Sequence, residues 1–214
     1  MQNKFAIGIP TLNRFDLLYP SLLMYLKDFP NTHIFVVDNG KQGIDKKVFD
    51  NRLHIINNDW NIGVAESWNV LCDKIFEVSS NALILNDDIY LGKKENDIEG
   101  LLKKKSDFYL GKLSWCAFIM PKKTYNEVGR FDDKFYPAYY EDADYTYRLK
   151  LAKKNINSTA ALIPFLYKES QTLEKAPEII SGSIANKKLY IEKWGGEPKQ
   201  EKFTKPYNEV QNKR

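Results

Sequence analysis

Residues 34–40 read Ile34-Phe35-Val36-Val37-Asp38-Asn39-Gly40, and residues 5–10 read Phe5-Ala6-Ile7-Gly8-Ile9-Pro10. Each is a short apolar run stopped by turn-forming residues, which predicts a buried strand in both places. Between them Leu17, Leu18, Leu22 and Leu26 recur at helical spacing, so this part of the chain reads strand, helix, strand. The alternation continues. His54 to Asn57 suits a third strand, Val64, Trp68, Leu71 and Ile75 make one apolar stripe along a helix, and Ala82 to Leu85 form another strand. Strands alternating with helices predict an α/β fold, with a mostly parallel central sheet and helices on both faces.

Ligands of such sheets collect at the carboxyl ends of the strands. Thr11 and Asn13, then Asp38, then Asn86, Asp87 and Asp88 fall there, outlining a nucleotide-sized pocket. Further on, Ser114 to Met120 predicts a strand, Pro121 opens a short helix and Gly129 stops it. A longer helix is expected from Glu141-Asp142 to Lys154, and a last strand over Ala160 to Phe165. Beyond Gly195-Gly196 the chain turns polar and reads as a tail or wrapping arm.

A length of 214 residues with 43% apolar and 14% aromatic content is expected to form a single domain over 1–214. It divides into a nucleotide-binding half (about 1–110), an acceptor-binding half (about 111–197) and a tail (about 198–214). The net charge of +4 is spread through mixed sequence, which argues against a nucleic-acid partner. Cys72 and Cys116 have no paired spacing and there are two histidines, so neither a disulfide framework nor a Cys/His zinc site is expected. No run is long and apolar enough to span a bilayer, no signal-peptide core precedes the first strand, and reduced thiols suit a cytoplasmic protein.

Asn86-Asp87-Asp88 places adjacent carboxylates after a buried strand, an arrangement that a divalent cation relieves. Mn2+ or Mg2+ takes oxygen ligands and commonly keeps only one or two protein carboxylates, the rest coming from phosphates and water. A solvated turn explains the same residues without a ligand. In Tyr139-Tyr140-Glu141-Asp142-Ala143-Asp144 acids stand beside aromatic rings at a helix start. Capping accounts for some of the charge. Three acids in four residues beside rings that suit a sugar face point to a site, with Asp142 as candidate general base and Trp115, Tyr139 and Tyr140 as acceptor contacts. Asn57, Asn58, Asn61 and Gly63 precede a helix whose N-terminus could approach phosphate or ribose. Trp68 reads as core, and Lys103-Lys104-Lys105 as an exposed helix end.

Together these motifs resemble the GT-A fold glycosyltransferases, particularly glycosyltransferase family 2. The resemblance rests on Ile9-Pro10-Thr11-Leu12-Asn13-Arg14, Val37-Asp38-Asn39-Gly40, Asn61-Ile62-Gly63-Val64, Asn86-Asp87-Asp88, Gly129-Arg130-Phe131-Asp132, Glu141-Asp142-Ala143-Asp144 and Lys193-Trp194-Gly195-Gly196, in that order. It implies transfer of a sugar from a nucleoside diphosphate donor, UDP first among them, to a glycan hydroxyl with inversion. It further implies that Pro10, Thr11, Asn13 and Arg14 line the nucleotide end, that Asp38 holds the base, and that Asn61 and Asn69 shape the pocket. The family's acidic metal motif falls on Asn86, Asp87 and Asp88, giving Asp88 the metal and putting an amide where the first acid stands. The acceptor-side acidic pair falls on Glu141 and Asp142. Many relatives carry a metal-binding histidine after the next strand, where this chain has Phe165-Leu166-Tyr167-Lys168-Glu169; His33 and His54 lie too early to replace it.

No glycine-rich loop follows the first strand, as a sugar nucleotidyltransferase would need, and no Gly-x-Gly-x-x-Gly marks a nicotinamide dehydrogenase. A noncatalytic nucleotide- or carbohydrate-binding module of a larger glycan-synthesis protein is the alternative.

Overall fold

The computed structural model describes residues 4–44, 49–112, 114–167 and 178–209. β1 (Ala6–Thr11), β2 (Ile34–Asp38), β3 (Leu53–Asn57) and β4 (Asn81–Leu85) run parallel, joined in space in the order β3-β2-β1-β4. β7 (Ser114–Pro121) pairs with β4 in the opposite sense, and β6 (Phe108–Gly111) and β8 (Ile156–Thr159) complete the seven-stranded sheet. Among the described strands of this sheet only β7 runs against the others. A ribbon of β5 (Ile89–Tyr90) and β9 (Leu166–Tyr167) stands apart.

The two-residue period of a strand sends alternate side chains to opposite faces, and β1 shows the result. Ile7 and Ile9 join a core with Leu18, Leu22 and Tyr25 of α1 (Phe15–Asp28) and Ile98 of α3 (Glu95–Leu102). Ala6 faces the other core, which holds Trp68, Leu71 and Ile75 of α2 (Gly63–Val78), Tyr125 of α4 (Lys122–Val128) and Tyr145 and Leu149 of α5 (Glu141–Leu151). Gly8 also lies under α2, where a Cβ would come within 2.8 Å of Ile84 Cδ1 and 3.2 Å of Leu71 Cβ. Its lack of a side chain lets the helix lie flat on the sheet at this point.

α6 (Glu178–Trp194) docks through a third cluster formed by Phe135, Tyr147, Tyr190 and Trp194. Beneath it lies a buried ion network. The Asp144 carboxylate, fully buried, accepts from Arg148 Nε at 2.8 Å, Lys193 Nζ at 2.6 Å and Trp194 Nε1 at 2.9 Å. Lys193 also donates to Asp132 at 2.6 Å. Past Gly195 the chain doubles back: the amides of Lys202 and Phe203 both donate to the Trp194 carbonyl, and the Tyr147 hydroxyl donates to the Phe203 carbonyl at 2.9 Å. Among the described residues no helix is long and apolar enough to cross a membrane.

Three expectations need correction. The strand expected over Ala160–Phe165 is displaced to Ile156–Thr159, and Ala160–Leu162 form a 3-10 turn capped by the Thr159 hydroxyl, which accepts from the Ala161 amide at 3.1 Å. β8 is an edge strand with one partner, so a polar sequence suffices there. The helix expected to reach Lys154 stops at Leu151, and Pro121 closes β7 as the N-cap of α4.

Removing one partner of a buried ion network leaves the other uncompensated, which costs about 3–5 kcal/mol. Lys193→Met is therefore expected to lower the stability to urea by that amount. Lys187→Met, which breaks the exposed pair with Glu197, should leave the midpoint unchanged. Equal small effects would show that Asp144 does not depend on Lys193.

Candidate active site

The carboxyl ends of β1 and β4 open into a cavity of about 570 Å3. Pro10, Thr11 and Leu12 follow from β1, and Asn86, Asp87 and Asp88 from β4. Asn61, Gly63, Val64, Ser67 and Trp68 come from the start of α2, Trp115 and Cys116 from β7, and Pro137, Ala138, Tyr139, Glu141 and Asp142 from the approach to α5. Asn39 after β2 and Ile179 of α6 complete the lining.

Two walls meet through the backbone. The Val64 amide donates to the Pro137 carbonyl at 2.8 Å, and Gly63, at φ 79°, lies so close to Tyr136 that a Cβ would sit 2.9 Å from its ring. Glycine is demanded here by both conformation and space. On the far side Asn186 of α6 donates its side-chain amide to the carbonyls of Ala138 and Tyr139, at 2.9 and 3.0 Å. Tyr139 and Tyr140 both take left-handed backbone at φ 74°, costly for residues with a side chain and sustained only by surrounding contacts. That double reversal delivers Glu141 and Asp142 to the N-terminus of α5, where the helix dipole favours anions.

The acids stand in contrasting settings. Asp87 accepts from the Thr11 hydroxyl at 2.7 Å, yet burial first, and the neighbouring Asp88 second, push it up to about 7. Burial raises Asp88 also, and its Oδ1 is buried without a hydrogen-bond partner. Glu141 is pushed up to about 8 by burial and then by Asp142, and its Oε2 is likewise unpartnered. Burial raises Asp142, whose Oδ1 accepts from the Ala143 amide at 2.7 Å. Among the described residues no three His, Cys, Asp or Glu converge as a complete metal cage. Asp88 can offer one unclaimed hard oxygen, the donor type that Mn2+ or Mg2+ accepts in sites completed by phosphate and water.

Of the residues expected from sequence, Pro10, Thr11, Asn61, Asn86, Asp87, Asp88, Trp115, Tyr139, Glu141 and Asp142 share this cavity. Asn13, Arg14, Asp38, Asn69 and Tyr140 do not line it. Asp38 is fully buried and accepts from the amides of Gly40 and Gln42 and the Gln42 side chain, so it shapes the loop behind the cavity. Asn13, left-handed at φ 55°, packs against Gly40. Arg14 is buried and bonds Asp16. Asn69 clamps the Phe131 backbone, accepting from its amide at 2.8 Å and donating to its carbonyl at 3.0 Å. The Tyr140 ring packs on Tyr190, 5.7 Å between centroids. His33 and His54 pair with each other at 2.9 Å, and Lys168 and Glu169 lie outside the described residues.

Sequence reasoning missed Asn39, Trp68, Cys116, Pro137, Ala138 and Ile179 as lining residues. Asn39 read as a turn, but its amide donates to the Ser67 hydroxyl at 2.8 Å and accepts from Asn58 at 2.9 Å. Trp68 lies in the apolar stripe of α2 and serves core and cavity wall together.

No protein-family model and no curated protein sequence matches the chain. Solved structures do share its fold. GalNAc-T7 with UDP, GalNAc and Mn2+ superposes with a TM-score of 0.69 at 10% identity, over 92% of this chain and 49% of that one. A mannosyltransferase, PcManGT from Pyrobaculum calidifontis, in complex with GDP-Man and Mn2+, gives 0.65 at 10% identity, covering 89% and 65%. S. aureus TarS gives 0.60 at 17% identity, covering 86% and 40%. This chain thus spans less than two thirds of the length of each of these structures. The fold is of the GT-A type that the sequence resemblance implied.

A carboxyl whose folded-state value is raised contributes stability while protonated and loses it as pH climbs through that value. For Glu141 the loss falls between the ordinary glutamate range, near 4.5, and about 8. Glu141→Gln keeps the neutral form at every pH. Its advantage in Tm over the wild type should therefore grow by at least ~2 °C between about pH 5 and pH 8, on the order of 1 kcal/mol for a chain of this size. A constant difference would mean that Glu141 ionises as it does in open water.

Proposed function

We propose that this chain is a glycosyltransferase that moves a sugar from a nucleoside diphosphate donor, UDP first among the nucleotides, to a glycan hydroxyl with inversion at the anomeric carbon. One observation carries the reading: the acids at the end of β4 and those at the start of α5 face a single cavity, and each group keeps a buried oxygen without a partner.

The two groups suit different halves of a transfer reaction. Asp88 is the residue to hold Mn2+ or Mg2+, with Asp87 behind it tied to Thr11, and a bound divalent ion supplies neutralising charge to the leaving diphosphate. Asn86 replaces an acid in the resembled motif, so the site has one negative charge fewer and an amide available to a ribose hydroxyl. Asn61 lies at the start of α2, its side-chain oxygen accepting from the Gly63 amide at 2.9 Å, where the helix N-terminus favours phosphate.

Asp142 is the base. Burial raises its proton affinity, its Oδ1 is oriented by the Ala143 amide, and it lies at the cavity wall. Its carboxylate takes the proton of the acceptor hydroxyl as that oxygen bonds to the anomeric carbon and the bond to the diphosphate breaks. Attack from the side opposite the leaving group inverts the centre in one displacement. Tyr139, 45% exposed at the cavity edge, offers an aromatic face to the acceptor sugar. Trp115 also lines the cavity, and its ring is fixed among Phe108, Phe118, Phe131 and Tyr145, so it supports the acceptor wall. A cytoplasmic setting suits a chain whose two cysteines, Cys72 and Cys116, show no paired spacing.

Release of free nucleoside diphosphate from UDP- and GDP-sugars, with Mn2+ or Mg2+ and with or without added oligosaccharide, tests this function. Metal-dependent release accelerated by an oligosaccharide is expected. Asp142→Asn should lower it by roughly 100-fold or more while nucleotide binding persists. Saturable binding of sugar nucleotides with no release under any condition would make the chain a binding module.

A further inference from the structure

Three exposed aromatic side chains adjoin the cavity. Trp60 is 71% exposed, Tyr136 50% and Tyr139 45%, whereas Trp68, Trp115 and Trp194 are all buried. Tyr139 lines the cavity, the Tyr136 ring lies against the cavity-lining Gly63, and Trp60 immediately precedes the cavity-lining Asn61. Among the described residues none of the three rings meets another ring or a cation. Neither the Trp60 indole N–H nor the two tyrosine hydroxyls make a hydrogen bond there.

Each ring is carried on anchored backbone. The loop bearing Trp60 is tied on both sides to one atom of the cavity wall: the Asn39 side-chain oxygen accepts from Asn58 Nδ2 at 2.9 Å and from the Ile62 amide at 3.4 Å. Tyr136 is wedged between two glycines. A Cβ on Gly63 would come within 2.9 Å of its ring, and one on Gly182 within 3.3 Å of its carbonyl oxygen. The Tyr139 carbonyl accepts from the Asn186 side-chain amide at 3.0 Å. Three residues separate Trp60 from Gly63, a reach of at most about 11 Å, so Trp60 and Tyr136 border one short stretch of rim.

Large apolar side chains left in water beside a cavity mark a binding surface, and the chemistry of these three selects what covers them. A sugar ring offers a C–H face to an aromatic face and hydroxyls to an indole N–H or a phenol hydroxyl. A hydrocarbon chain would use the faces alone.

We propose that Tyr139, Tyr136 and Trp60 form a track for successive rings of a neutral oligosaccharide, so that the acceptor is a glycan chain of three or more sugars. The inference rests on the function proposed above and narrows its acceptor. The reacting sugar sits at Tyr139, three residues before Asp142 and in the same cavity wall, and the next rings of the chain lie over Tyr136 and then Trp60.

The test is calorimetric binding to the protein saturated with Mn2+ and UDP or GDP. The probes are malto-, cello-, manno- and chito-oligosaccharides of one to six rings, with octyl glucoside as a single sugar on a hydrocarbon chain. In one of these series affinity should rise about 10-fold with the second ring and again with the third, and then level off. Trp60→Ala should weaken the trimer about 10-fold and leave the dimer unchanged, whereas Tyr136→Ala should weaken both. Both side chains are exposed, so neither variant removes a core contact. Trp60 is the one exposed tryptophan, and its emission should move to the blue with the trimer and not with the monosaccharide.

No gain in affinity beyond one ring, unchanged trimer binding in both variants, or octyl glucoside binding more tightly than the trimer overturns the track. Nucleotide binding without binding of any oligosaccharide does so too, and leaves the donor reading intact. Failure of the nucleotides to bind overturns the proposed function, and this inference with it.

Discussion

The Asp144 carboxylate, buried under α6 and accepting from Arg148, Lys193 and Trp194, is the constraint on which the second half of the chain depends. Its position one turn after Glu141 means that fixing Asp144 fixes the roll of α5 about its own axis. Lys193 reaches onward to Asp132, so one ammonium joins the loop before α5, α5 itself and the end of α6. Asp132 is held below the usual carboxylate range: burial alone pushes it up, but the hydrogen bond and charge of Lys193 outweigh that. The gain is positional rather than energetic, since desolvating such a network offsets much of its attraction.

That geometry explains why unsatisfied polar atoms can persist at the cavity. Buried groups without partners are destabilising, and a chain free to rearrange would pair them. Here Tyr139 and Tyr140 are held in left-handed backbone by Asn186, and Gly63 presses against Tyr136 and Pro137, so Glu141 cannot readily turn away. On the opposite wall the Thr11 hydroxyl occupies one oxygen of Asp87 and leaves Asp88 to the cavity. The protein has spent stability on polar atoms held unpaired at the cavity wall.

The sheet was legible because β1, β2 and β4 are buried on both faces and α2 carries an uninterrupted apolar stripe, the patterns that period alone distinguishes. β8 escaped because an edge strand needs neither apolar alternation nor a long run. α6 gave no stripe: its buried face uses Ile179, Asn186, Tyr190, Lys193 and Trp194, while Ile180 and Ile184 are exposed. A helix whose inner face is partly ionic looks irregular to a hydrophobic count. Within the site, the acids were legible from their clustering, whereas the hydrogen bonds by which Asp38 and Asn69 hold neighbouring loops outside the cavity lining were not. Trp68 was legible only as core, because sequence reports that an indole is buried and not whether its N–H has found an acceptor.

The central claim is that the acids at the end of β4 receive a nucleoside diphosphate together with a divalent cation. A thermal-shift panel of UDP, GDP, dTDP and CDP, each with and without Mn2+, tests it most directly. The account predicts that one nucleotide raises the Tm only when the metal is present, and that Asp88→Ala abolishes the shift. No shift with any nucleotide, or an equal shift in Asp88→Ala, would contradict it.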